Sequence, residues 1–147
     1  MPVYKQLRRN KILLDTHVVI WLVLGDPKIG SYFKEHVEYM MEQEEDIFIS
    51  AISIWEIGML VERKKVDLEN DPLDWIEELL KKGFTLLPIT PSIAINSSRL
   101  PESPHGDPAD RLLVATANEH HAILVTHDRK ILDYGKGKFI GVYDPCA

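Results

Sequence analysis

The stretch Ile12-Leu13-Leu14-Asp15-Thr16-His17-Val18-Val19-Ile20-Trp21-Leu22-Val23-Leu24-Gly25 decides how the rest of the chain is read. It opens on three bulky aliphatics and closes on seven unbroken apolar residues, Val18 to Leu24, and Asp15 is its only formal charge. A bilayer span takes about 20 apolar residues, so neither part crosses a membrane. The pattern fits a short buried strand that hands over, through Asp15, to an apolar helix. Lys5, Arg8, Arg9 and Lys11 ahead of it superficially resemble the start of an export signal. Yet Asp15 interrupts the apolar region, and Asp26-Pro27 stands where a small-residue cleavage site belongs. The basic start therefore reads as a solvated lead-in, and export is not expected.

The same alternation continues outward. Ile47-Phe48-Ile49, Phe84 to Leu87, Ile123-Leu124-Val125 and Phe139 to Val142 are further strand candidates, brief and rich in β-branched or aromatic residues. Between them, Ile29, Phe33, Val37 and Met40, then Ile54, Ile57 and Val61, then Leu73, Ile76, Leu79 and Leu80 recur at helical spacing. Strands alternating with helices imply right-handed crossovers and a mostly parallel sheet. The expectation is a three-layer α/β fold of about five strands, one domain over residues 1–147. Pro72, Pro88, Pro91, Pro101, Pro104 and Pro108 are expected in the connections, with Leu100 to Pro108 as the long loop and Gly135 to Lys138 as a short one.

Composition agrees with one globular unit: 45% of the residues are apolar and 27% charged. The lone cysteine, Cys146, permits no internal disulfide, which makes the cytoplasm the expected compartment. A net charge of −6 argues against a protein that coats nucleic acid through a broad basic face.

Four acids carry the chemistry. A parallel sheet forms its site at the carboxyl ends of its strands. Asp15 follows the first strand; Glu56 follows the second by six residues and is the sole ionisable group in Ser50 to Val61; Asp128 follows the fourth; Asp110 opens the helix before it. Each has an ordinary structural reading as well. Asp15 or Thr16 can cap a helix. Ser53-Ile54-Trp55-Glu56 fits a capping box. Asp107-Pro108-Ala109-Asp110 has the chemistry of a helix start, and Asp128 suits a turn. All these readings nevertheless put the acids on one rim of the sheet, where carboxylates repel one another strongly unless a cation intervenes. Oxygen-only donors select a hard ion such as Mg2+ or Mn2+. Such an ion serves hydrolytic phosphoryl transfer by activating water and stabilising the entering and leaving oxygens.

Leu13-Leu14-Asp15-Thr16-His17, Ser53-Ile54-Trp55-Glu56-Ile57, Gly106-Asp107-Pro108-Ala109-Asp110-Arg111-Leu112-Leu113-Val114-Ala115-Thr116-Ala117 and Val125-Thr126-His127-Asp128 resemble, in order, the four acidic motifs of PIN-domain ribonucleases. The resemblance is greatest to the VapC-type toxins of prokaryotic toxin–antitoxin pairs, and it runs from about Lys11 to Val142. It implies a Rossmann-like five-stranded sheet and a Mg2+- or Mn2+-dependent endoribonuclease. It also implies a frequent homodimer and a small VapB-type antitoxin as partner. Carried over by position, Asp15 and Asp110 become the principal metal ligands, and Glu56 and Asp128 complete the quartet. Thr16 and Thr126 would orient those carboxylates, with Ser53 beside them. Asp107 is a helix cap or an auxiliary ligand.

Other residues have plainer expectations. Trp21, Trp55 and Trp75 read as core or dimer-interface residues, His17 and His127 as exposed polar groups flanking the site, and His120-His121 as surface. Arg111 and Arg129 suit either a scissile-region phosphate or a local ion pair, and Glu42, Glu44, Glu45 and Asp46 a solvated helix end. Two rival functions use the same residues. A haloacid-dehalogenase-like phosphatase also places an acid after its first strand, but needs a second Asp where this chain has His17. A non-catalytic PIN scaffold would not need all four acids.

Overall fold

The computed structural model describes residues 7, 9–102, 107–137 and 140–147. Five short strands form one sheet: β1 (Ile12–Leu14), β2 (Ile47–Ser50), β3 (Phe84–Leu87), β4 (Ile123–Val125) and β5 (Val142–Tyr143). Their order is β3-β2-β1-β4-β5, and every pairing is parallel. Strands apolar on both faces suit a parallel sheet covered on both sides, and the burial follows suit. Ile12, Leu14, Ile47, Ile49 and Val125 pack into one cluster, and Leu13, Phe48, Leu87 and Leu124 into a second. The first cluster takes Val18 and Val19 from α1 (Thr16–Leu24), Phe33, Val37 and Met40 from α2 (Ser31–Glu42), Ile57 from α3 (Ala51–Glu62), and Trp75, Ile76 and Leu79 from α4 (Pro72–Lys81). The second takes Leu113, Val114 and Ala117 from α6 (Pro108–His120) and Ile131 and Tyr134 from α7 (Arg129–Lys136). A short helix, α5 (Pro91–Ser97), lies against α6. These are the three layers expected. No helix among the described residues is long and apolar enough to cross a membrane.

Helix starts account for most departures from the sequence reading. Pro72, Pro91 and Pro108 stand inside elements, each as the first residue of its helix, because that position has no intrahelical use for an N–H and the ring presets φ. Asp71, Thr90 and Asp107 cap these helices from the preceding position. The helices α5 and α7 fall where no element was expected, and Gly135 is part of α7 rather than of a loop. The last strand is shorter than the expected Phe139 to Val142. It pairs only opposite Leu124 and Val125, because Ile140 is buried in the second cluster ahead of the ladder; Phe139 lies outside the described residues. Nor is the lead-in wholly solvated, for Leu7 is buried in the first cluster; Lys5, Arg8, Pro104, Gly106 and Lys138 lie outside the described residues. Glu42, Glu44, Glu45 and Asp46 are exposed where α2 ends, as expected.

Gly135 is where α7 touches the edge of the sheet. A Cβ there would stand 2.8 Å from Val142 Cγ1 and closer still to Cγ2. In an exposed helix Gly→Ala gains up to about 1 kcal/mol; against a stiff β-branched neighbour the sign reverses. Gly135→Ala is expected to destabilise by about 1–3 kcal/mol in denaturant melts, and a second change, Val142→Ala, to restore most of the loss.

Candidate active site

β1 and β4 are neighbours, yet the strands that follow each of them lie on opposite sides of the pair. At such a reversal the connections part, and a crevice opens beyond the carboxyl ends of the strands. The Asp15 N–H donates to the Val125 carbonyl at 2.9 Å, so β1 and β4 stay paired up to the lip of this crevice. A cleft of about 320 Å³ results, lined by Asp15, His17, Trp21, Glu56, Asp107, Asp110, His127 and Asp128. All four acids singled out in the sequence line this one cleft, and Asp107 lines it with them.

Asp15 is 8% exposed, and both its oxygens are held. Oδ1 accepts from the Thr16 N–H at 2.7 Å, and Oδ2 accepts from the Thr126 hydroxyl, also at 2.7 Å. Thr126 Oγ1 in turn accepts from the Asp128 N–H at 3.0 Å, which ties the end of β4 to the first strand's acid. Across the cleft, Glu56 Oε1 accepts from the Thr16 hydroxyl at 2.6 Å, and Thr16 Oγ1 lies 2.9 Å from Ser53 Oγ. Ser53 and Glu56 are three apart on α3 and share the face turned to α1. Thr16 and Thr126 are both fully buried.

The capping-box reading of Ser53 and Glu56 is corrected. Ser50 is the N-cap of α3, its hydroxyl accepting from the Ile52 N–H at 3.1 Å, so the helix begins earlier and Ser53 is already inside it. Glu56 is then too far along to reach an unsatisfied N–H of the first turn. Its carboxylate goes to Thr16 instead. Asp128 is an N-cap, not merely a turn residue: its Oδ1 accepts from the Lys130 and Ile131 N–H groups at 2.8 and 3.1 Å. Asp107 caps α6 through the Ala109 N–H at 2.9 Å, leaving Asp110 in the first turn.

The electrostatics of the cleft are adverse to unaccompanied anions. Burial pushes the Asp15 carboxyl up against the lowering effect of the bonds from Thr126 and Thr16. Glu56 is raised as well, first by burial and then by Asp15 and Asp107, with the Thr16 bond opposing. Asp110 is raised to about 7, first by burial and then by repulsion from Asp107, Asp15, Asp128 and Glu56. Five carboxylates in one partly dry cleft, with no lysine or arginine among the described residues that line it, form a donor set that suits a hard divalent cation.

Aromatic residues shape one lip. His17 and Trp21, one helical turn apart on α1, have ring centroids 5.8 Å apart, and His127 approaches Trp21 at 5.9 Å. Lys28 Nζ sits 5.1 Å from the same indole. Trp21 is thus a half-buried rim residue and not a core one, a role its four-residue spacing from His17, two after Asp15, could have signalled. Trp75 is core, and Trp55 is 57% exposed on α3. His17 and His127 are exposed; His121 is an exposed C-cap, and His120 is half-buried beside Phe48. Arg111 is half-buried and Arg129 exposed.

The family described as PIN domain matches residues 12–137. Ribonuclease VapC22 of Mycobacterium tuberculosis (strain ATCC 25618 / H37Rv) is 36% identical over 120 residues, covering 82% of this chain and 88% of that protein. Among solved structures, DNA-bound VapBC from Salmonella typhimurium aligns with a TM-score of 0.67 at 19% identity, over 93% of this chain and 99% of that one. VapBC2 from Rickettsia felis, bound to a DNA fragment from its promoter, aligns at 0.66 and 16%, over 90% and 96%. VapBC-1 from nontypeable Haemophilus influenzae aligns at 0.65 and 20%, over 92% and 98%. Structural likeness at these identities speaks for the fold.

Proposed function

Because the chain belongs to the PIN-domain family, we propose that it is a metal-dependent endoribonuclease, the toxin of a VapBC-type pair, with Asp15, Glu56, Asp110 and Asp128 as its catalytic quartet. The observation that carries this reading is the convergence of those four acids on one cleft at the reversal of strand order. Asp15 and Asp110 are the principal ligands, and Glu56 and Asp128 complete the set. Mg2+ or Mn2+, when bound, would supply water activation and neutralise charge on the scissile phosphate. The protein's own task is positioning. Thr126 turns the Asp15 carboxylate, Thr16 and Ser53 fix Glu56, and Asp107 holds the start of α6 that presents Asp110.

The relatives' names support an RNA substrate and a VapB-type antitoxin as partner. The proposal extends to a homodimer acting in the cytoplasm, each chain a single domain over 1–147. An acidic cleft that binds RNA through cations also accommodates the net charge, since taking the quartet out of the 23 acids leaves 19 against 17 bases. The direct test is cleavage of cellular RNA by the purified, antitoxin-free chain in Mn2+, with Asp15→Asn as control. Equal behaviour of the two proteins, or no cleavage by either, would overturn the reading.

One supporting residue gives a sharper test. Thr126→Val keeps the shape of a buried side chain but removes the donor to Asp15 Oδ2. Calorimetric titration with Mn2+ is expected to show affinity reduced by about 10–100-fold, the usual cost of losing a group that orients a metal ligand. Thr126→Ser, which keeps the hydroxyl, should recover most of it.

A further inference from the structure

The parallel pairing of β4 with β5 brings together a second set of donors beside the acidic cleft. Thr126 N–H donates to the Tyr143 carbonyl at 2.9 Å, so His127, two residues past β4, and Asp144, the residue after β5, are held side by side. His127 Nδ1 and Asp144 Oδ1 are 3.0 Å apart. The turn after Asp144 folds back, and its Cys146 N–H donates to the same Oδ1 at 2.9 Å. One ligand atom from each of His127, Asp144 and Cys146 lies within 4.8 Å of the others. The turn is also fixed from outside, since the Gly30 N–H donates to the Pro145 carbonyl at 2.8 Å. A Cβ on Gly30 would come 2.7 Å from the Ala147 carbonyl oxygen, a close approach that only glycine permits.

From this juxtaposition we infer a second metal site, in which His127, Asp144 and Cys146 bind a borderline-soft divalent transition ion of the Zn2+ class at the carboxyl ends of β4 and β5. The donor chemistry separates it from the cleft. Sulfur and imidazole nitrogen select Zn2+ and Co2+ and are poor ligands for Mg2+, whereas the five carboxylates of the cleft favour the hard ion. Three protein donors leave one tetrahedral position for water or another ligand. The site is reachable, for the side chains of His127 and Asp144 are 47% and 30% exposed and Cys146 is half-buried. It is also largely preformed, with two of its three residues anchored by the sheet and the third by a backbone bond to Asp144. Because His127 also lines the acidic cleft, an ion bound there would fix one wall of it.

Co2+ is a direct probe, since thiolate ligation gives a charge-transfer absorption that oxygen ligands do not. Titration of the full chain with Co2+ in excess Mg2+ is expected to give that band at one equivalent. Cys146→Ser should abolish it, and His127→Gln and Asp144→Asn should each weaken binding at least tenfold. Asp15→Asn should leave it unchanged. With the cleft saturated by excess Mg2+, one equivalent of Zn2+ should raise the melting temperature of the wild type and of Asp15→Asn more than that of Cys146→Ser. Absence of the band in the wild type overturns the inference. So does a band that survives both His127→Gln and Asp144→Asn, which would mean a thiol acting alone. A band lost in Asp15→Asn would place the ion in the cleft and equally defeat the proposal. None of these outcomes depends on whether the chain cleaves RNA.

Discussion

Asp15→Asn is expected to reduce RNA cleavage by at least about 10²–10³-fold, the range seen when one preorganised electrostatic group is removed from a reacting centre. The side chain keeps its size. The oxygen of the new carboxamide can still accept from the Thr16 N–H, and its NH2 group can donate to Thr126 Oγ1, now acting as acceptor. The charge is lost, and the Thr126 hydroxyl changes from donor to acceptor. Burial holds the Asp15 carboxyl above its ordinary range, which means that the ionised form is a cost to the metal-free fold. The same substitution is therefore expected to raise, or at least not lower, the melting temperature of the metal-free protein near neutral pH. A simple structural role predicts the reverse, a parallel loss of activity and stability. Glu56→Gln provides the matching test on α3, where turnover should fall far more than stability because Glu56 is no helix cap. Cleavage that persists in Asp15→Asn, measured on purified protein against the wild type, would remove the quartet from the mechanism.

The strands, their order of appearance and the three layers were legible because each strand is a short apolar run between helical repeats. Ile12–Leu14, Phe84–Leu87 and Ile123–Val125 are found with their expected bounds. The last strand was overextended because apolar character continues through Ile140, which is buried against the second cluster without entering the ladder. Periodicity cannot separate burial against a helix from pairing in a sheet. The helices α5 and α7 were missed for a different reason. The first is only seven residues long, and the second contains a glycine that reads as a breaker, yet packing against Val142 requires it.

At the site, the positions of the acids followed from their places after the strands, and the family resemblance pointed to Thr16 and Thr126 as the groups that orient them, but which carboxylate each one holds did not follow. The capping-box reading failed because Ser50 and Ser53 are both competent N-caps, and only the end of β2 decides between them. Once Ser50 takes that place, Ser53 and Glu56 become available to Thr16. The link from Asp15 to Thr126 spans 111 residues and exists only because β1 and β4 are neighbours. That adjacency is a property of sheet topology, which local pattern does not encode. The His127–Asp144–Cys146 cluster is hidden in the same way, since its members approach only through the β4–β5 pairing.

Metal-free protein is expected to lose stability as the pH rises towards neutrality, and Mn2+ to reverse the trend. Asp110 has its pKa raised from 3.8 to about 7 in the fold. Between those values the folded state holds a proton that the unfolded chain has lost. Since stability changes with pH in proportion to the protons bound by the unfolded state minus those bound by the folded one, it falls across this window and levels off above it. Solvent screening limits the effect, because Asp110 is only half-buried; roughly 1–2 kcal/mol is a reasonable size. Asp15 and Glu56 are shifted the same way and steepen the slope. A cation needs the deprotonated form, so Mn2+ affinity should rise with pH up to about 7 and then flatten, with release of protons on binding. At about 100 times its Kd the ion should stabilise by about 2.7 kcal/mol. Asp110→Asn isolates the contribution: melting curves across this window should show a shallower slope than the wild type and little response to Mn2+. A pH slope left unchanged by Asp110→Asn, or a Mn2+ response that survives it, would mean that this carboxyl is not the one that exchanges its proton for the ion. The four acids would then share a cleft without sharing a cation.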